Sequence, residues 1–139
     1  MQIALTPLAG ELEPNDPAHA GEWAGALEGT DYGTPPWCFY FARIDKQPVG
    51  IGVFKSPPAD GVVEIAHLAF IGARRRGVAT AIASQLVSIA RGHGMKRVVA
   101  HTLRENNPST LVLAANGFMG PTEVVDQEDG PIWRWELAL

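Results

Sequence analysis

The chain has 139 residues, one domain's worth at roughly 100–200 residues per domain, and a core forms at that length without disulfide or metal staples. With 46% hydrophobic and 19% charged residues it is neither disordered nor low-complexity, and its one cysteine, Cys38, excludes an intramolecular disulfide and a cysteine-based structural zinc. A net charge of −4, from 11 Lys+Arg against 15 Asp+Glu, argues against general nucleic-acid binding, which rests on a broad basic surface. No basic, apolar leader opens the chain and no run of about 18 apolar residues could cross a membrane, so a soluble, cytoplasmic domain is expected over 1–139.

Residues 2–8 read as a first strand. Residues 15–27 carry scattered apolar positions behind Asn15-Asp16-Pro17, a suitable helix start. Gly33-Thr34-Pro35-Pro36 breaks regular structure. The aromatic run 37–43 reads as a strand, a turn at 45–48 leads to a strand at 49–55, and a second turn at 56–61 to a strand at 62–71. The period then changes. Across 78–91, Ala79, Ile82, Ala83, Leu86, Ile89 and Ala90 recur at three- and four-residue spacing, an amphipathic helix stopped by Gly92-His93-Gly94. A strand at 96–103 follows. Asn107-Pro108 then supplies an N-cap and an N1 proline for a second helix with Leu111, Val112 and Ala115 facing inward, ended by Asn116-Gly117. Strands at 122–126 and 132–137 close a mixed α/β sheet.

The most informative segment runs from Phe70 to Thr80. A strand ends, Arg74, Arg75 and Arg76 form the only dense positive cluster, and a helix starts at Gly77. Helix N-termini expose unpaired N–H groups and a partial positive charge, which bind phosphate well. Gly77 lets the backbone approach an anion, small Ala79 keeps the clearance, and the arginines add charge-assisted contacts. No Gly-Lys-Ser/Thr follows, and the loop is not Gly-x-Gly-x-x-Gly. It points to a pyrophosphate held outside any dinucleotide fold.

Arg74-x-x-Gly77-x-Ala79 resembles the Gln/Arg-x-x-Gly-x-Gly/Ala motif of the GNAT superfamily of N-acetyltransferases. Leu68-Ala69-Phe70 is similar to the Leu-Ala-Val of that family's fourth strand. Residues 106–118 resemble its closing helix, in the spacing of the branch containing the ribosomal-protein N-terminal acetyltransferases. The resemblance covers about 62–118. It implies an α/β fold with a mostly antiparallel central sheet, flanked by helices and splayed between the family's fourth and fifth strands. It implies acetyl-CoA as co-substrate and no metal. The acetyl group would pass to a primary amine by direct attack in a ternary complex.

The residues implied to bind acetyl-CoA are Leu68, Ala69, Phe70, Arg74, Arg75, Arg76, Gly77, Val78, Ala79, Thr80, Asn106 and Ser109. Backbone groups near Leu68 and Phe70 would meet the pantetheine arm and the thioester carbonyl, the Phe70 N–H stabilising an oxyanion. Glu64 is the candidate base, set against a solvated carboxylate on an exposed strand face; Ser109 is a cofactor contact or a neutral first-turn residue. Many relatives carry a tyrosine seven residues after the helix asparagine to protonate the leaving thiolate. Leu113 stands there, which leaves Ser109, a water, or no general acid, since a thiol with a pKa of about 8.5 leaves tolerably unaided.

His67 is out of phase with Glu64 and reads as structural, as does His101. Cys38 reads as an inert core thiol, Trp133 and Trp135 as core or dimer contact, and Trp23, Tyr32 and Trp37 fall where the family builds its acceptor pocket. The acceptor, a small molecule or a protein N-terminus, stays open. The apolar last strand suits a homodimer seam. Neither nucleic acid nor membrane is an expected partner. A non-catalytic acyl-CoA-binding or sensing domain of the same fold is the alternative.

Overall fold

Aromatic and β-branched residues concentrate at 37–44, 49–54 and 62–65, and there the chain forms strands. The computed structural model describes residues 2–7, 33–73 and 77–139. The expected helix at 15–27, Trp23, Tyr32 and the three arginines Arg74, Arg75 and Arg76 lie outside the described residues. The strands are β1 (Ala4–Pro7), β2 (Gly33–Thr34), β3 (Trp37–Ile44), β4 (Gln47–Phe54), β5 (Val62–Ala69), β6 (Arg97–Thr102), β7 (Met119–Asp126) and β8 (Gly130–Ala138). The helices are α1 (Val78–Gly92) and α2 (Pro108–Ala115), with a 3-10 turn at Ile71–Ala73. No helix among the described residues is long and apolar enough to cross a membrane.

The sheet order is β1-β3-β4-β5-β6-β8-β7, with β2 paired to β3 beside this path. Every pairing is antiparallel except β5–β6. Two-residue turns set the hairpins. Asp45 and Lys46 hold φ 49° and 70° between β3 and β4, and Asp60 and Gly61 hold φ 53° and 76° before β5. Two successive positive φ values match the right-handed twist of the flanking strands. The segment Gly33–Thr34, expected to be a break, pairs instead with Trp37 and Cys38. The strand expected at 62–71 ends at Ala69, because Ile71 enters the 3-10 turn.

One core lies between the sheet and the helices. Val63, Ile65, Val98 and Ala100 from the strands meet Val78, Ile82, Ala83 and Leu86 of α1. Glycine at 50 and 52 makes this contact possible: a Cβ on either would sit 2.8 Å from a methyl of Ile82, so the helix can seat only on bare backbone. On the opposite sheet face Phe39, Phe41, Ile51, Val53 and Phe70 form a second cluster. The inward stripe of α2 departs from expectation. Thr110, Val112 and Leu113 are buried, whereas Leu111 is 70% exposed and Ala115 is exposed too. An apolar helix of eight residues gives its sequence no polar face by which to read the inward one.

Candidate functional site

β5 is held along its length by β4, in register from Gly50–Ala69 to Phe54–Ile65, while β6 is held by β8 as far as Thr102–Trp133. The two central strands pair with each other only at Val62–Arg97, Val63–Val98 and Glu64–Val99. Beyond Glu64 they follow different neighbours and part, opening a wedge whose apex is the Glu64–Val99 pair. That is the splay expected between the family's fourth and fifth strands.

Hydrogen bonds fix which backbone groups face the wedge. Glu64 O accepts from Lys55 N–H, and Phe70 N–H donates to Val49 O, both at 2.9 Å. Polar groups alternate sides along a strand, so even-numbered residues of this stretch direct theirs to β4 and odd-numbered ones toward β6. This corrects the expectation for Leu68 and Phe70. The Phe70 N–H is taken by Val49, its carbonyl accepts from Ala73 N–H at 2.8 Å, and neither serves an oxyanion in the wedge. The backbone N–H groups directed there belong to His67 and Ala69.

The wedge leads to the start of α1. Gly77 caps the helix in the left-handed region, φ 75° and ψ 11°, with no side-chain cap and no acidic residue in the first turn. The ladder begins at Ala81 N–H to Gly77 O, 3.0 Å. The N–H groups of Val78, Ala79 and Thr80 precede it and have no partner within the helix, leaving them to an anion. Val78 buries its side chain in the core, so any contact it makes there is through backbone, while Ala79 and Thr80 are half-buried. Asn116 at the end of α2 donates to Thr80 O at 3.2 Å and fixes that turn against α2. At the other end of α2, Asn107 is the cap in a reciprocal pair with Thr110, next to exposed Asn106 and half-buried Ser109. Leu113 is fully buried in the core and has no proton to give.

At the apex stands a cluster that the sequence did not reveal. His101 Nδ1 lies 2.9 Å from Glu64 Oε2, joining β6 to β5 just where pairing stops. Lys55 Nζ, from the end of β4, is 3.4 Å from the same oxygen. Asp126 on β7 accepts from the Asp129 and Glu128 N–H groups, which hold its carboxyl below the ordinary value, with smaller help from the charge of Lys55. In sequence Glu64 and His101 are 37 residues apart, and only the parallel register of β5 on β6 brings them to one face.

His67 is on the opposite face of β5, as its phase implied, across from Gly52. Among the described residues neither ring nitrogen has a hydrogen-bond partner, and burial pushes its pKa down to about 4. Beside Lys55, a pocket of about 150 Å³ opens, lined by Phe39, Ile51, Val53, Lys55, Ala66, His67 and Leu68. Trp37 packs edge-on against Phe54 and His93. Trp135 is buried and donates to Thr102 Oγ1 at 3.0 Å, with Trp133 beside it.

Comparison with known proteins adds the family. The model of the acetyltransferase (GNAT) family matches residues 7–118. A search of curated proteins gave no match. Among solved structures, the chain is similar to RimL, a ribosomal L7/L12 alpha-N-protein acetyltransferase in complex with coenzyme A, at TM-score 0.67 and 15% identity over 73% of this chain and 62% of that one. It is similar to yncA, a putative acetyltransferase from Salmonella typhimurium with its cofactor acetyl-CoA, at TM-score 0.59 and 19% identity over 73% and 64%. It is also similar to the GNAT domain of S. lividans PAT, at TM-score 0.61 and 25% identity over 78% and 65%. The chain thus spans less than two thirds of the length of each of these proteins.

Proposed function

The chain belongs to the acetyltransferase (GNAT) family, and from that premise we propose that it transfers an acetyl group from acetyl-CoA to a primary amine by direct attack within a ternary complex. The observation that carries the reading is the wedge between β5 and β6 leading to a helix start with no side-chain cap. An elongated arm can lie along the free side of β5 while the phosphates at its end reach the first turn of α1. The residues fit such a molecule. Gly77 has no side chain to obstruct the approach, no carboxylate stands in the first turn to repel phosphate, and the N–H groups of Val78, Ala79 and Thr80 are free of the helix ladder. Arg74, Arg75 and Arg76, which precede Gly77 in the sequence, would add charge-assisted contacts. Asn106 and Ser109, at the start of α2, flank the same arm.

Bound there, acetyl-CoA supplies a thioester carbonyl to the attacking amine. The N–H groups of His67 and Ala69, directed into the wedge, orient that arm in place of those of Leu68 and Phe70. An amine is protonated near pH 10 and below when free, so the site must take a proton from it. The Glu64 cluster stands at the apex for that task. The apolar pocket beside Lys55 would receive the acceptor's substituent, and the acceptor is a small-molecule amine or a protein α-amine. The protein would do this in the cytoplasm as one domain over 1–139.

A second reading, a non-catalytic acyl-CoA-binding domain, draws on Leu113, which stands where many relatives carry the proton-donating tyrosine and is buried in the core. Thiol release on mixing the protein with acetyl-CoA and a panel of primary amines separates the two. Turnover with any amine supports transfer. Acetyl-CoA binding without turnover supports the sensing domain, and absence of both contradicts either reading.

A further inference from the structure

We propose that His101 is the proton acceptor of this site and that Glu64 is its positioning residue. The proposal rests on the acetyltransferase reading and assigns the base within it. Glu64 Oε2 already takes the His101 ring at 2.9 Å and the Lys55 ammonium at 3.4 Å, so one carboxylate oxygen is engaged by both. A carboxylate accepting from Nδ1 fixes the tautomer: the proton sits on Nδ1 and the lone pair on Nε2. Among the described residues Nε2 has no hydrogen-bond partner, and it is not buried, since the orphaned buried ring nitrogens are both on His67. The ring therefore bridges the apex of the wedge, one nitrogen anchored on β5 and the other open.

The groups facing His101 are Glu64 from β5, Lys55 from β4, Asp126 from β7, and Arg134 with Glu136 from β8, Arg134 lying directly across the ladder. Arg134 is itself drawn to Glu136, with Nη2 3.0 Å from Oε1, so its charge is turned along β8. In the step, the amine nitrogen forms the new C–N bond and the C–S bond breaks with its electron pair going to sulfur. The proton shed by the nitrogen moves to His101 Nε2, and the resulting imidazolium, stabilised by Glu64, then returns it to the thiolate. One group thereby supplies both base and acid, which accounts for a site whose helix offers only Leu113.

The test reads the imidazole directly and then its use. In nitrogen-15 spectra of the uniformly labelled free protein, His101 is expected as the Nδ1–H tautomer, and that preference is expected to weaken in Glu64→Gln. An Nε2–H tautomer in the wild type overturns the proposal. In turnover with the best amine of the panel, His101→Gln is expected to lower kcat at least about a hundredfold and to remove the acidic limb of its pH profile. Acetyl-CoA affinity by calorimetry should hold. Glu64→Gln should keep the limb while lowering kcat, because the ring loses the group that orients it. The reverse pattern, with the limb lost in Glu64→Gln and kept in His101→Gln, makes Glu64 the base and refutes the assignment. Failure of the acetyltransferase reading has a different signature: a folded wild type that binds no acetyl-CoA.

Discussion

Removing His67 should change how the protein responds to acid. Its ring is buried with no partner among the described residues, and burial alone depresses its pKa to about 4 from the 6.5 of an exposed histidine. The folded state thus refuses a proton that the unfolded chain accepts. A depressed histidine contributes stability that is complete above about pH 6.5 and lost as pH falls toward 4, because the unfolded state binds more protons across that window. At 1.36 kcal/mol per pH unit the loss amounts to about 3 kcal/mol. Urea unfolding of wild type and His67→Leu, measured at intervals from about pH 7 to 4, isolates this contribution, since the carboxylates titrate alike in both. The wild type should lose about 3 kcal/mol more than the variant. Curves that stay parallel through the window would refute the assignment of a buried neutral ring.

Asn107→Ala removes the α2 cap and its reciprocal pair with Thr110, and should lower stability by about 0.5–2 kcal/mol in the same urea assay. Gly52→Ala places a methyl 2.8 Å from Ile82 Cγ2 and should cost about 1–3 kcal/mol by overpacking. Gly50→Ala should be worse, because its Cβ would lie 2.3 Å from the Leu68 carbonyl oxygen, a backbone atom that cannot swing aside. Equal stability of the two glycine variants would contradict the close seating of α1. Leu86→Ala, at a fully buried position on the inner face of that helix, should cost about 2–5 kcal/mol.

Local signals survived into the structure where one element decides them. The apolar spacing at 78–91 became α1 with Ile82, Ala83, Leu86 and Ala90 buried as expected, and Asn107-Pro108 became the cap and first turn of α2. Gly50 and Gly52 are plain in the sequence of β4, but their cause, the seat of Ile82, needs two elements together. What the sequence concealed depends on pairing across the sheet. His101 reads as structural in sequence because its partner is on another strand, reached through a register that no local pattern encodes. The side on which the Phe70 N–H lies was misread for the same reason: the hydrogen-bonding phase of β5 is fixed by Val49 on β4. Leu111 and Leu113 are equally apolar, and only the packing of α2 separates the exposed one from the buried one.

The central claim, a cofactor-binding wedge ending at the start of α1, is tested most directly by isothermal calorimetry with acetyl-CoA. Wild type is compared with an Arg75→Ala/Gly77→Asp double variant, the folding of both being checked by circular dichroism. Gly77→Asp would set a carboxylate at the helix start proposed to take phosphate, and Arg75→Ala would remove one of the guanidinium groups proposed to join it. The account predicts one-to-one binding by the wild type and its loss in the folded variant. A folded wild type that takes up no acetyl-CoA, or a variant that binds it undiminished, would contradict it.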